Sequence, residues 1–236
     1  TWTATFTPSV DLADPSNLFT LNLAGVQDLA DNDGAGTAVS SNYTVDTKRP
    51  TATVSLSKTA LKAGQTATVT IDFAEPVSGF ELDDISAQAG SLSNLQVDGD
   101  VPTRYTATYT PTPGLESPSN RITLNLTGVI DASSGAAGLG AALSPNYAVD
   151  TLNPVVTLNP LNGTYITNAS TALSGRVDGV PVGTTVTANL GSSSLTTTTN
   201  GNGEFSLNLS KEQIADASSV VVSVADPAGN PASASL

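Results

Sequence analysis

The stretch Asn42-Tyr43-Thr44-Val45-Asp46-Thr47-Lys48-Arg49-Pro50 returns as Asn146-Tyr147-Ala148-Val149-Asp150-Thr151-Leu152-Asn153-Pro154, which limits the chain to a tandem array of small domains. Upstream of each copy the chain runs in step with itself at an offset of 103. Trp2-Thr3-Ala4-Thr5-Phe6-Thr7-Pro8 falls on Tyr105-Thr106-Ala107-Thr108-Tyr109-Thr110-Pro111, and Asp28 falls on Asp131. Of the 27 residues from position 2 to position 28, 16 are identical in the two copies. A one-residue insertion then brings Asn42 onto Asn146. Residues 1–46 read as the C-terminal half of a repeat, 47–150 as a complete repeat and 151–236 as a domain of a second subtype. Asp46 and Asp150 close one domain, and the next begins beyond Pro50 or Pro154, because proline cannot donate into a strand ladder.

The hydrophobic period inside each copy is two, with Trp2, Ala4 and Phe6 or Phe19, Leu21 and Leu23 on one face and Thr or Asn on the other. In the complete repeat this predicts strands near 51–57, 66–73, 79–82, 85–89, 92–97, 104–110, 121–126 and 145–149. Gly64, Asp98-Gly99-Asp100, Pro113-Gly114 and Gly135 to Gly140 supply the turns. Short strands at this density make an antiparallel sandwich, so the fold class is all-β. Residues 184–189, 193–199 and 204–209 alternate in the same way around Leu190-Gly191 and the hairpin signal Asn200-Gly201-Asn202-Gly203. Residues 211–217 are expected to form one helical turn, with strands over 220–225 and 232–236.

Composition narrows the chemistry. The 21 acidic and 8 basic residues give a net charge of −13, which disfavours nucleic acid and anionic lipid and favours divalent cations. With no His and no Cys, the chain has no imidazole base, no thiolate nucleophile and almost no zinc chemistry. Absence of Cys also removes disulfide staples, a constraint that calcium can replace outside the cell. No apolar run is long enough to insert in a membrane. Thr1 falls inside an expected strand, so the chain reads as part of something longer, and the half domain is expected to borrow strands from upstream residues or from another copy.

Three segments of the complete repeat carry a family likeness: Asp72-Phe73-Ala74-Glu75-Pro76-Val77-Ser78-Gly79-Phe80, Gly90-Ser91-Leu92-Ser93-Asn94-Leu95 and Tyr105-Thr106-Ala107-Thr108. Together with Asp226-Pro227-Ala228-Gly229-Asn230 they resemble bacterial immunoglobulin-like repeats, which build the stalks of large biofilm-associated and type I secreted adhesins. The resemblance covers essentially the whole chain and implies tandem immunoglobulin-like sandwiches in an extended, calcium-rigidified array on the bacterial cell surface.

The candidate metal ligands fall into three groups. Asp28, Asp31 and Asp33 crowd one loop, and Asp226 with Asn230 shares its D-x-A-x-N pattern. Asp131, in the equivalent loop, stands without the neighbouring acids. At the seams, Asp46 and Asp150 sit where domains meet, and a cation joining Asp46 to Glu75, Asp83 or Asp84 would stiffen the joint. Each group also reads as ordinary turn chemistry, since Asp, Asn and Gly are what loops are made of. Other chemistries find little footing. Asp83 with Asp98 is a conceivable glycosidase pair but has no cleft to work in, the glycine-rich run at 135–140 lacks the Lys of a phosphate loop, and the sequons arise by chance in an Asn/Thr-rich chain. Trp2, Phe6, Phe19, Tyr43, Phe73, Phe80, Tyr165 and Phe205 all fall on strand patterns and are expected in the core, leaving no platform for sugar.

The expected function is a non-enzymatic, calcium-stiffened stalk segment that projects a distal binding domain for adhesion or biofilm formation, with neighbouring repeats of the same chain as its partners. A spacer module of a secreted multidomain enzyme is the alternative, and a self-associating module is a third reading.

Overall fold

A computed structural model describes residues 1–161, 170–215 and 219–236. It is almost entirely β. In the complete repeat one sheet has the order Gly90–Val97, Arg104–Pro111, Ala67–Phe73, Ala52–Leu56, all antiparallel. Two three-stranded sheets lie opposite: Glu116–Asn120, Tyr147–Asp150 and Ala60–Lys62, and Ala141–Leu143, Ile122–Asn125 and Ile85–Ala87. The alternation is the cause of the core. Along Ala67–Phe73 the residues Ala67, Val69, Ile71 and Phe73 are buried while Thr68 faces water. They meet Ile122, Leu124, Tyr147 and Val149 from the opposite layer, all fully or almost fully buried.

Several strands were not evident from hydrophobic pattern. Ala60–Lys62 is three residues long and pairs in parallel with Tyr147–Asp150, a pairing that no local turn announces. Glu116–Asn120 contains Pro118, which argues against a strand; the register shifts between Ser117 and Asn120, so the ladder skips the proline. The same device skips Pro15 in Ala13–Asn17, which pairs with Tyr43–Asp46. The strand expected at 79–82 is absent. Gly79 turns at a φ of 73°, and Leu82–Asp84 forms a 3-10 helix whose Asp84 carboxylate accepts the Glu81 N–H at 2.9 Å.

In residues 1–46 the strand expected at Trp2–Pro8 does not form. Its equivalent, Arg104–Pro111, is held between Ala67–Phe73 and Gly90–Val97, and residues 1–46 contain no counterpart of either. The aromatics expected in the core are therefore bare: Trp2 is fully exposed, and Phe6 and Phe19 are about half exposed, clustered with Tyr43 at centroid distances of 4.7–5.7 Å. Phe73 and Phe205 are buried as expected, whereas Tyr165 lies outside the described residues.

The last domain places Val155–Leu158, Ser170–Asp178 and Glu204–Ser210 in one sheet. Ser193–Thr198, Thr185–Leu190, Val220–Ala225 and Pro231–Ser235 form the other. Its separate core contains Leu173, Val186, Leu190, Leu209 and Val222. The helical turn spans Lys211–Ala215; positions 216 and 217 lie outside the described residues. Among the described residues no helix is long and apolar enough to cross a membrane.

Candidate metal centre

The first seam joins Tyr43–Asp46 to the complete repeat. Asp46 closes that strand. Glu75 follows Ala67–Phe73 in the turn that leads to Val77–Ser78, and Asp131 ends the short strand Ile130–Asp131, which pairs with Val77–Ser78. The Ala132 N–H donates to Pro76 O at 3.0 Å and holds the two turns side by side. One carboxylate oxygen from each of Asp46, Glu75 and Asp131 lies within 4.8 Å of the others.

Asp131 is the anchor of the cluster. It is only 1% exposed, although a carboxylate this deep normally has partners for both oxygens. Its Oδ1 accepts from the Ser133 and Ser134 N–H groups, each at 2.8 Å, and lies 2.7 Å from Ser133 Oγ. Its Oδ2 is buried and has no hydrogen-bond donor among the described residues so long as Glu75 is ionised. Ser133 Oγ also lies 2.7 Å from Asp46 Oδ2, yet one hydroxyl has one proton to share between the two carboxylates. The centre is thus rich in acceptors and short of donors, which is what a cation or a retained proton repairs.

The titration of the site reflects this. Burial pushes the Asp131 carboxyl up, but donors from Ser134 and Ser133 together with Glu75 outweigh it and bring it to about 2. Glu75 moves the other way: hydrogen bonding with Asp131, burial and the Asp131 charge raise it, against a smaller opposing pull from Lys48. Lys48 Nζ is 3.7 Å from Glu75 Oε1, and half of its side chain is in water. Two further contacts join linker to loop, Ser134 Oγ to Lys48 O at 2.9 Å and Arg49 Nη1 to Ala137 O at 2.6 Å.

The structure brings Asp46 and Glu75 together with Asp131, and leaves Asp83 and Asp84 in the 3-10 turn outside the cluster. Asp131 did not stand out in the sequence because its loop lacks other acids. The available signal was its alignment with Asp28 at the start of a loop two strands before a seam. Asp28, Asp31 and Asp33 do not converge. Both Asp28 oxygens serve the loop itself, accepting from Asn32 Nδ2, Asn32 N and Ala30 N, which lowers the Asp28 pKa, and Asp33 accepts from Gln27. Asp150, Asp226 and Asn230 do meet, at the second seam, where Asn230 donates to both acids.

Comparison with solved structures returns an ice-binding adhesin described as a 1.5-MDa bacterial protein, at 23% identity and a TM-score of 0.42, covering 89% of this chain and 69% of that one. A calcium-stabilised adhesin of an Antarctic bacterium matches at 19% identity and a TM-score of 0.42, covering 89% of this chain and 53% of that one. A fragment of the titin I-band matches at 14% identity and a TM-score of 0.44, covering 79% and 63%. The chain spans between half and two thirds of the length of the latter two. No curated protein matches the sequence. The family model described as bacterial Ig-like domain matches residues 1–45 and 46–149, well over half of the 236 residues, and the chain belongs to that family.

Proposed function

We propose that this chain is a structural stalk segment of a bacterial cell-surface adhesin, with calcium held at the first seam by Asp46, Glu75 and Asp131 to stiffen the joint. One observation carries the reading: two successive domains contribute carboxylates to one point, and the most buried of them keeps an oxygen that has no donor among the described residues while Glu75 is ionised. The donor set fits a hard cation. It offers carboxylate and hydroxyl oxygen, while the chain has no His or Cys for a softer metal. Millimolar extracellular calcium fills such a site even at a dissociation constant of about 10⁻⁴–10⁻³ M.

The reading explains why the seam is short. Only five residues separate strand Tyr43–Asp46 from Ala52–Leu56, so little slack lies between the domains, and an ion tying Asp46 to Glu75 and Asp131 removes the remaining bend. The role is mechanical rather than catalytic. Many such domains in series hold a distal binding domain away from the cell, and their principal partners are neighbouring repeats. Small-angle scattering of the full chain in calcium and in chelator tests this. Calcium should give the narrower distribution of shapes and the higher melting temperature. Superimposable scattering and melting curves in the two conditions would refute the calcium joint.

A further inference from the structure

The second seam keeps two of the carboxylate positions of the first, with an amide from the loop itself as the third partner. Asp150 stands in the repeat where Asp46 stands, closing the last strand of its domain. Asp226 opens the loop that faces it, as Asp131 does at the first seam. Where the first seam is short of donors, the second has Asn230, whose side chain is completely buried.

Every hydrogen-bonding atom of that side chain is used. Asn230 Nδ2 donates to Asp226 Oδ2 at 2.8 Å, and across the seam to Asp150 O at 3.0 Å and Asp150 Oδ1 at 3.3 Å. Asn230 Oδ1 accepts the Ala63 N–H of the preceding domain at 2.8 Å, which also fixes which end of the amide is oxygen. The Asn230 N–H occupies Asp226 Oδ1 at 2.8 Å, so both oxygens of Asp226 have donors. A positive charge is already present, since Lys62 Nζ donates to Gly229 O at 3.0 Å. A cleft of about 400 Å³ beside the joint is lined by Glu116, Asp150 and Asp226, but Asp226 turns both its oxygens to Asn230.

The loop is set before it docks. Asp28–Asn32 repeats its internal bonds, Asn32 N to Asp28 Oδ1 at 3.0 Å and Asn32 Nδ2 to Asp28 Oδ2 at 2.9 Å, in an exposed loop. The D-x-A-x-N sequence therefore aims its amide by itself, and docking adds only the cross-seam bonds.

We infer that the two joints differ in kind: the second is pinned by the Asn230 amide without an ion, so that calcium stiffens the first joint and leaves the second unchanged. The inference rests on the calcium reading of the first seam only for the contrast between joints; the amide pin stands on its own contacts. Asn230 is a positioning residue that takes the place an ion would hold between Asp150 and Asp226. Changing its amide to a carboxylate leaves three acids and no amide donor, which turns the second seam into a cation-requiring joint like the first.

Amide hydrogen exchange on the full chain reads each joint separately, with calcium chloride as the only added ligand. The Ala63 amide reports the second joint, and the amides of Ser133 and Ser134 report the first. In the natural sequence Ala63 protection should be the same in calcium and chelator. Asn230→Ala, which removes the acceptor, should cost that amide about tenfold in protection in both conditions. Asn230→Asp should lose about tenfold in chelator and regain it in calcium. Should Asn230→Asp fail to fold without calcium, its refolding on calcium addition gives the same answer, and Asn230→Ala still measures the pin. Loss of Ala63 protection in the natural sequence on chelation, or no loss in Asn230→Ala, overturns the inference. If instead Ser133 and Ser134 ignore calcium while Ala63 behaves as described, the calcium reading of the first seam falls and the amide pin survives.

Discussion

Replacing Asp131 by Asn should destabilise the protein in calcium and change its stability little in chelator. The amide keeps an oxygen where Oδ1 accepts from Ser133 and Ser134, and puts an N–H donor where the buried Oδ2 has none. Relieving a buried unsatisfied acceptor is worth about 1–3 kcal/mol, but the lowered Asp131 pKa shows that its donors favour the charged carboxylate by a similar amount, so without calcium the two proteins should lie within about 1 kcal/mol of each other. On the calcium reading of the first seam, the ion should favour the natural sequence. Free ion at about ten times the dissociation constant adds about 1.4 kcal/mol, and at a hundred times about 2.7 kcal/mol. The variant forfeits most of this with its carboxylate. For a domain of this size each kcal/mol moves the melting temperature by roughly 4 °C, so the difference between the two proteins should swing by about 6 °C or more between conditions. Scanning calorimetry of both proteins in each condition measures the swing. An equal shift in chelator and calcium would show that the buried oxygen is not an ion ligand, and the reasoning from its missing partner would fail.

Two further outcomes follow from the cores. Leu124→Ala, at a fully buried site, should cost about 2–5 kcal/mol in chemical denaturation, whereas Leu21→Ala, at the same repeat position but exposed, should stay within about 0.5 kcal/mol. Equal costs would mean that residues 1–46 bury a core under solution conditions. Burial pushes the Tyr109 and Tyr147 hydroxyls above their ordinary value, and both donate to Gln88 O, at 3.0 and 2.6 Å. Unfolded tyrosines ionise near pH 10 while these resist, so the domain should hold its stability below that pH and lose it as pH rises beyond. Phenolate absorbance that tracks unfolding for these two residues checks this, and their ionisation in the folded protein near pH 10 would contradict it.

The period-two pattern and the offset repeat carried most of the fold, because a half-buried strand must alternate and a seam must end its strand. What they could not carry was pairing that depends on distant partners. Ala60–Lys62 is a strand only because Tyr147–Asp150 lies beside it, and Trp2–Pro8 forms none because its flanking strands have no counterpart in residues 1–46. Glu116–Asn120 was hidden by a proline that the bulge steps over.

The site shows the same division at finer grain. Counting acids favours the loop Asp28–Gly34, with three carboxylates, over the loop at Asp131, with one. Folding reverses the order, because a carboxylate is open to a cation through what it lacks rather than through how many neighbours it has. Asp28 closes its own loop through Asn32, with a donor on each of its oxygens. Asp131 spends one oxygen on Ser133 and Ser134 and buries the other, without a donor among the described residues while Glu75 is ionised, in a carboxyl group that lies beside those of Asp46 and Glu75. Asn at the fifth position of the loop thus distinguishes a closed loop from an open one. That single residue separates Asp28 and Asp226 from Asp131, whose fifth position is Gly135, and it is legible in the sequence once the bonds it makes are known.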